Sequence, residues 1–152
     1  MELFNLLVIT TNRAHLEFWL GATDYGNTTT VASFAKLLSP TENGIMPRLQ
    51  YLGIRNAENI DALVPSICCA NIIKRIRILD LSLGELSTAA ARLLYNQFKP
   101  IEEPYPYQLM ELLDLHHNSV QDEQLIKDML CDLPFVVDMR GNSDERYIAV
   151  GE

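Results

Sequence analysis

A short hydrophobic pattern, L-x-x-L-x-L, recurs along the chain and constrains its fold more than any other feature. Its core is a triplet in which two apolar residues flank a variable one, and the copies occupy residues 18–20, 52–54, 79–81, 113–115 and, more weakly, 137–139. In three copies an apolar residue stands three places earlier, at Leu49, Ile76 and Met110. Such self-similarity indicates tandem copies of one structural unit.

Between the triplets the hydrophobic period changes from two to about 3.6, which predicts helices. Residues 87–94 open with the N-cap former Ser87, and residues 122–130 combine acidic residues in the first turn with one apolar stripe. Residues 30–38 and 60–67 follow the same pattern, although Pro65 is expected to shorten the latter helix. Each unit is therefore predicted to be a strand, a turn and a helix. The longer intervals contain turn-rich insertions at residues 39–44 and 99–106.

A single unit cannot bury both its strand and its helix, so the units are expected to stack side by side. The predicted fold is an α/β solenoid, with parallel strands on the concave face and helices on the convex face. One domain, residues 1–152, would hold four to five repeats, with an N-terminal cap at 1–12 and a C-terminal cap at 140–152. A doubly wound α/β domain is the main alternative. The side chains expected in the core are Phe18, Leu20, Leu52, Ile54, Leu79, Leu81, Leu113 and Leu115.

Residues between the inward leucines should point outward in columns across the sheet. One column holds Trp19, Gly53, Asp80, Asp114 and Asp138. Its neighbours hold Gly21, Arg55, Ser82, His116 and Arg140 on one side and Glu17, Tyr51, Ile78, Leu112 and Val136 on the other. Aspartates about 4.8 Å apart repel each other by about 1 kcal/mol in bulk water, which a basic partner would relieve. Alternatively, L-D-L is only part of the repeat pattern and its carboxylates are solvated, or the aspartates belong to a metal site or catalytic dyad. Arg55, His116 and Arg140 could also relieve the repulsion within the chain.

The candidate partner-binding residues lie in these columns. Trp19, the single tryptophan, is either an interface anchor or a cover for the end of the sheet. The full predicted set is Trp19, Tyr51, Arg55, Asp80, Asp114, His116 and Asp138.

Composition and motifs argue against other classes of function. The net charge of −8 disfavours a nucleic-acid partner, and the basic group Lys74, Arg75 and Arg77 is expected to be a solvated rim. Neither the adjacent pair His116-His117 nor the three cysteines have metal-ligand spacing, so we expect no metal, no cofactor and free, buried thiols. Phosphate-binding and hydrolase motifs are absent from the sequence, so we expect no enzyme. The N-terminal apolar run is too short for a membrane span, and a cytoplasmic protein is expected.

The L-D-L-S core followed by a helix rich in alanine and leucine resembles the leucine-rich repeats of the ribonuclease-inhibitor type. More specifically, residues 15–26, 52–56, 79–84 and 146–152 resemble an uncharacterised bacterial leucine-rich-repeat family, which implies the solenoid fold and no assigned activity. Such repeats favour asparagine five residues after the first core leucine, where Asn118 stands, and we expect its amide to bind backbone groups of the turn. The other copies have Thr23, Ala57 and Gly84, so we expect no complete asparagine ladder.

The resemblance, which covers roughly residue 12 to the end, also implies more repeats before the Trp19-Leu20-Gly21 segment, so the chain is expected to be an N-terminally truncated member. Its apolar N-terminal residues, Leu3 and Leu6 to Ile9, would either cap the sheet or pair with a second copy. The predicted function is a protein-interaction module that binds on the concave face. The alternatives are a structural or oligomerising fragment of a larger repeat protein, or a small hydrolase built around Asp114, His116 and Cys131.

Overall fold

The computed structural model describes residues 6–12, 15–20, 31–32, 34–36, 49–69, 74–100 and 109–142. These residues form an α/β fold with a six-stranded sheet whose strand order follows the chain. The first strand, β1 (Leu6–Asn12), is antiparallel to β2 (His15–Leu20). All later strands run parallel to β2: β3 (Leu49–Ile54), β4 (Ile78–Asp80), β5 (Leu112–Asp114) and β6 (Val136–Asp138).

The parallel strands are in the register that the triplets predict. Phe18 lies opposite Leu52, Leu52 opposite Leu79, Leu79 opposite Leu113, and Leu113 opposite Val137. A shift of one residue would turn every leucine to the other face of the sheet. This register therefore confirms that the first residues of the triplets are neighbours across the parallel strands.

Helical segments follow the strands, as predicted. A 3-10 turn (Ile60–Leu63) leads into α1 (Val64–Cys69), where Pro65 sits in the first turn and so costs no helical hydrogen bond. The longer helices are α2 (Thr88–Phe98) and α3 (Glu123–Asp132). Residues 31, 32 and 34–36 are also helical. None of the helices in the described ranges combines the length and apolar character needed to cross a membrane.

The hydrophobic core lies between the sheet and the helices. Six of the predicted core side chains are at most 1% exposed: Leu52, Ile54, Leu79, Leu81, Leu113 and Leu115. The side chains of Phe18 and Leu20 lie outside the description. Helices contribute a matching layer, in which Val64, Ala91 and Leu125 are buried. The core is therefore continuous from one strand–helix unit to the next.

The prediction that all three cysteines are buried is wrong. Cys68 is half-buried, but Cys69 and Cys131 are exposed and all three thiols are free. Cys69 ends α1, and Cys131 follows the exposed Leu130 on the outer face of α3, so neither reaches the core. Partial burial, with a smaller contribution from Cys69, raises the pKa of the Cys68 thiol.

Both predicted caps fall partly outside the description. β1 pairs with β2 of the same chain, so β2 has a neighbour on each side. Residues 1–5, including Leu3, and residues 143–152 are not among the described residues.

Candidate protein-interaction face

The three predicted columns are present across the outward side of β3 to β6. Gly53, Asp80, Asp114 and Asp138 lie opposite one another in successive strands. The backbone of Trp19 extends this row on β2, opposite Gly53. The Trp19 side chain lies outside the description, so its predicted role stays a prediction.

Each aspartate folds back onto the residue two places later in the chain. The carboxylates of Asp80, Asp114 and Asp138 accept from the backbone N–H of Ser82, His116 and Arg140 at 3.0, 3.1 and 3.1 Å. This is an Asx turn repeated at the end of three adjacent strands. The aspartates therefore also terminate the strands, which explains their place in the repeat.

Asp80 is satisfied almost entirely within the chain. Its carboxylate accepts from the Ser82 hydroxyl at 2.5 Å and from the Tyr51 hydroxyl at 3.4 Å, and it lies 3.1 Å from Arg55 Nε. Arg55 also donates to the Ser82 hydroxyl, at 3.2 Å. With 3% of its surface exposed, Asp80 mainly holds its neighbours in place.

The other two aspartates also carry partners from the neighbouring column. His116 Nδ1 lies 2.5 Å from Asp114 Oδ1. Arg140 Nε donates to both oxygens of Asp138, at 3.0 and 3.1 Å, and its Nη2 donates at 2.6 Å. The hydrogen bonds from Arg140, with a smaller electrostatic contribution from His116, hold the pKa of Asp138 below its usual value.

Arg55, His116 and Arg140 are thus paired with the three aspartates within the chain, and Asp80 is buried and not solvated. The aspartate row therefore gives no reason of its own to expect a basic partner. Exposed side chains on this face include Arg140, at 73%, and members of the third column.

That third column is apolar, and its importance was missed at the sequence level. Tyr51, Ile78, Leu112 and Val136 lie opposite one another in successive strands. The first three are partly exposed, and Val136 is 65% exposed. Alternation along each strand places these residues on the side opposite the buried leucines, so the signal was available in the sequence. The sequence-based argument for a binding face relied on the charged residues instead.

The turns that leave the strands are held by two asparagines in equivalent positions. Asn118 Nδ2 donates to the carbonyls of Leu81 and Leu115 at 2.8 and 3.0 Å, and its Oδ1 accepts from Leu86 N at 3.0 Å. This confirms the predicted structural role of Asn118.

Asn142 makes the same three bonds one unit later. It donates to the carbonyls of Leu115 and Met139 at 2.9 and 3.0 Å and accepts from Val120 N at 3.2 Å. Among the described residues the asparagine ladder therefore has two rungs, Asn118, which the sequence predicted, and Asn142, which it did not. Asn142 stands five residues after Val137, as Asn118 does after Leu113, and the valine in place of leucine concealed the match.

The residues proposed for a hydrolase do not form one group. Asp114, His116 and Asp138 each offer a ligand or proton-transfer atom within 4.8 Å of the others, and Cys131 is not part of that cluster. The ring of His117 packs edge-on against His116, with centroids 5.3 Å apart. His117 also adopts a positive φ of 52°, and its ring covers the Cα of Gly141.

A groove of about 380 Å³ lies where the described sheet ends at β6. It is mostly apolar, and its rim carries Asp138 and Arg140. Its apolar lining consists of Leu112, Ile126, Leu130, Val136, Val137 and Met139.

Comparisons with known proteins bear on the fold alone. No protein-family model matches the chain, and no curated protein matches it. The chain is similar to a crystal structure of a protein from Bacteroides fragilis, with a TM-score of 0.57 and 22% sequence identity. The similarity covers 77% of this chain but only 30% of the other, so the chain spans less than a third of that protein's length.

Proposed function

We propose that this chain is a leucine-rich-repeat solenoid that binds another protein on the outward face of β3 to β6. The observation that carries the binding proposal is the apolar column Tyr51, Ile78, Leu112 and Val136, set in register beside a polar row. Apolar side chains exposed in a continuous line, next to charged and polar groups, are typical of protein-interaction surfaces.

Three features favour the solenoid over a doubly wound domain. The strand order follows the chain without a reversal, whereas a doubly wound sheet has a switch point. Asn118 and Asn142 make equivalent bonds to equivalent atoms of adjacent units. A second parallel contact, between Ser87 and Ser119, joins neighbouring turns beyond the strands. Repetition of the same contacts at a fixed offset is what stacked repeats require.

The expected partner contact is mainly apolar, with polar residues at its edge. Tyr51 would contribute an aromatic ring of the kind enriched at interface centres, while Arg55, His116 and Arg140 would form the polar side. Arg140 is the most accessible of these, with 73% of its side chain exposed. A partner with a basic surface is compatible with the net charge of −8, but the proposal does not depend on such a surface.

The test compares two exposed apolar residues changed to the same charged one. Val136→Glu places a carboxylate in the apolar column, and Leu93→Glu places one on α2, where Leu93 is 50% exposed. Proteins of the source cells captured on the immobilised chain would be quantified by mass spectrometry, and the binding constant of the captured protein measured. We expect Val136→Glu to weaken binding about tenfold or more, equivalent to about 1.4 kcal/mol, and Leu93→Glu to leave it unchanged. Equal binding by the two variants would contradict the proposal.

Self-association is the second candidate, and the groove beside β6 favours it. Leu130 and Val136, which line the groove, are 49% and 65% exposed, and a second copy would cover them. Light scattering on the purified chain distinguishes the candidates: a dimer that Leu130→Glu converts to monomer supports self-association, and a wild-type monomer excludes it.

A further inference from the structure

We propose that Asp114, His116 and Asp138 form a binding site for a divalent transition-metal ion of the zinc class. Each residue offers one ligand atom, and all three atoms lie within 4.8 Å of one another. The site is distinct from the apolar column, and its existence does not depend on the proposed protein partner.

The donor set is chemically suited to zinc. One imidazole nitrogen and two carboxylate oxygens are ligands that Zn²⁺ accepts at about 2.0–2.2 Å, with a fourth position left for water or for a group from outside the chain. An imidazole donor also favours zinc-like ions over Mg²⁺ and Ca²⁺, which prefer oxygen alone.

The backbone places these side chains in advance. Asp114 and Asp138 are direct neighbours on the parallel strands β5 and β6, and Leu115 N donates to Asp138 O at 2.8 Å to join the two strands. The three side chains are 16%, 17% and 18% exposed in the order Asp114, His116, Asp138. They are shielded enough to be ordered and open enough for an ion to enter.

The column that holds Arg55, Ser82, His116 and Arg140 supplies a second argument. There the Arg55 guanidinium crosses from β3 to reach both Asp80 and Ser82 on the next unit. His116 occupies the column position of Arg55 two units later, beside the paired carboxylates of β5 and β6. A guanidinium is a fixed cation that cannot bind a metal, whereas an imidazole supplies a lone pair. His116 is therefore the member of this column that can give a lone pair to a metal, while Arg140, one unit later, is paired with Asp138.

Metal binding through His116 Nδ1 would replace the contact of that nitrogen with Asp114 Oδ1, because a ring nitrogen that gives its lone pair to a metal carries no proton. The neutral imidazole then holds its proton on Nε2. Arg140 need not move away, because each carboxylate oxygen of Asp138 has a second lone pair, and the arginine would then orient the ligand from outside the first coordination shell.

The experiment titrates the chain with zinc chloride by calorimetry, in a background carrying Cys68→Ala, Cys69→Ser and Cys131→Ser because thiolates also bind zinc. We expect one ion per chain. His116→Asn should weaken binding by roughly 100-fold or more, since loss of even an outer-shell partner typically costs 10–100-fold. The same substitution at the adjacent residue, His117→Asn, should change it less than about twofold, and magnesium chloride should give no binding heat.

A second measurement keeps the result independent of variant stability. The chain has three histidines, so the ring proton signals of His15, His116 and His117 can be followed by NMR in the unmutated protein as zinc is added. His116 is expected to shift most and His15 least. Asp138→Asn gives a further variant if His116→Asn does not fold. Absence of zinc binding would overturn the proposal. So would binding that His117→Asn weakens as much as His116→Asn, or binding that neither His116→Asn nor Asp138→Asn weakens, because each outcome would mean an adventitious ion only.

Discussion

The side chains of Asn118 and Asn142 show how single residues fix the geometry of this chain. Both are nearly buried, at 5% and 1% exposure, and each binds two carbonyls and one N–H of the turns. Each joins its own unit to the preceding one. A buried polar group left without a partner costs about 1–3 kcal/mol, so these amides stabilise the turns by satisfying backbone groups that no water reaches.

Asn118→Ala is therefore expected to lower the free energy of unfolding by about 2–4 kcal/mol, because it leaves the carbonyls of Leu81 and Leu115 and the N–H of Leu86 without this partner. Urea unfolding followed by circular dichroism measures the change. Asn96→Ala, at an exposed position of α2, is the matched control and should stay within about 0.5 kcal/mol of wild type. A similar loss in both variants would show that the bridge does not hold the units together.

At the scale of elements, the helices begin where their caps allow. The Ser87 hydroxyl accepts from Ala90 N at 3.1 Å at the start of α2, and Asp122 Oδ1 accepts from Leu125 N at 3.0 Å at the start of α3. Asp122 also forms an ion pair with Arg92 of α2. One side chain thus both starts a helix and fixes that helix against its neighbour.

This cap predicts a pH dependence of stability. The hydrogen bond from Leu125 N, followed by the charge of Arg92, holds the pKa of Asp122 below its usual value in the folded chain. A carboxyl group with a lowered folded pKa stabilises the fold above its unfolded pKa of about 3.9, and this contribution is lost as the pH falls through the folded pKa. Asp122→Asn, which keeps a capping side chain, should be less stable than wild type at pH 7, and the difference should shrink towards zero in strong acid. Thermal unfolding at a series of pH values measures it. A difference that is constant from pH 7 to pH 2 would contradict the assignment.

Much of the element-level structure could be predicted from the sequence, for a specific reason. Leu52, Leu79 and Leu113 are buried on both sides by neighbouring units, so their spacing alone determines strand positions and register. The second rung at Asn142 and the exposure of Cys131 were missed, because the first follows a valine and the second depends on which side of α3 faces solvent. The pairing of each aspartate with the residue two places later could not be derived, since it depends on side-chain conformations in the turns.

At the scale of the whole molecule, the described strands lie side by side in chain order, with helical segments between them. Such an arrangement buries one continuous core and leaves the opposite face of the sheet to carry function. In the described residues, that face combines an apolar column, a row of internally paired aspartates and the Asp114–His116–Asp138 cluster. If the units were ordered differently, the columns would not form, and the proposed interaction face and metal site would both lose their basis.

The most direct test detects individual hydrogen bonds between strands in solution. Scalar couplings measured by NMR across hydrogen bonds should connect the amide of Leu81 with the carbonyl of Asp114, and the amide of Leu115 with the carbonyl of Asp138, the pairs separated by 2.9 and 2.8 Å. Couplings between these pairs would establish that neighbouring units are parallel and in register. Couplings from either amide to a different strand, or an antiparallel set of partners, would contradict the account.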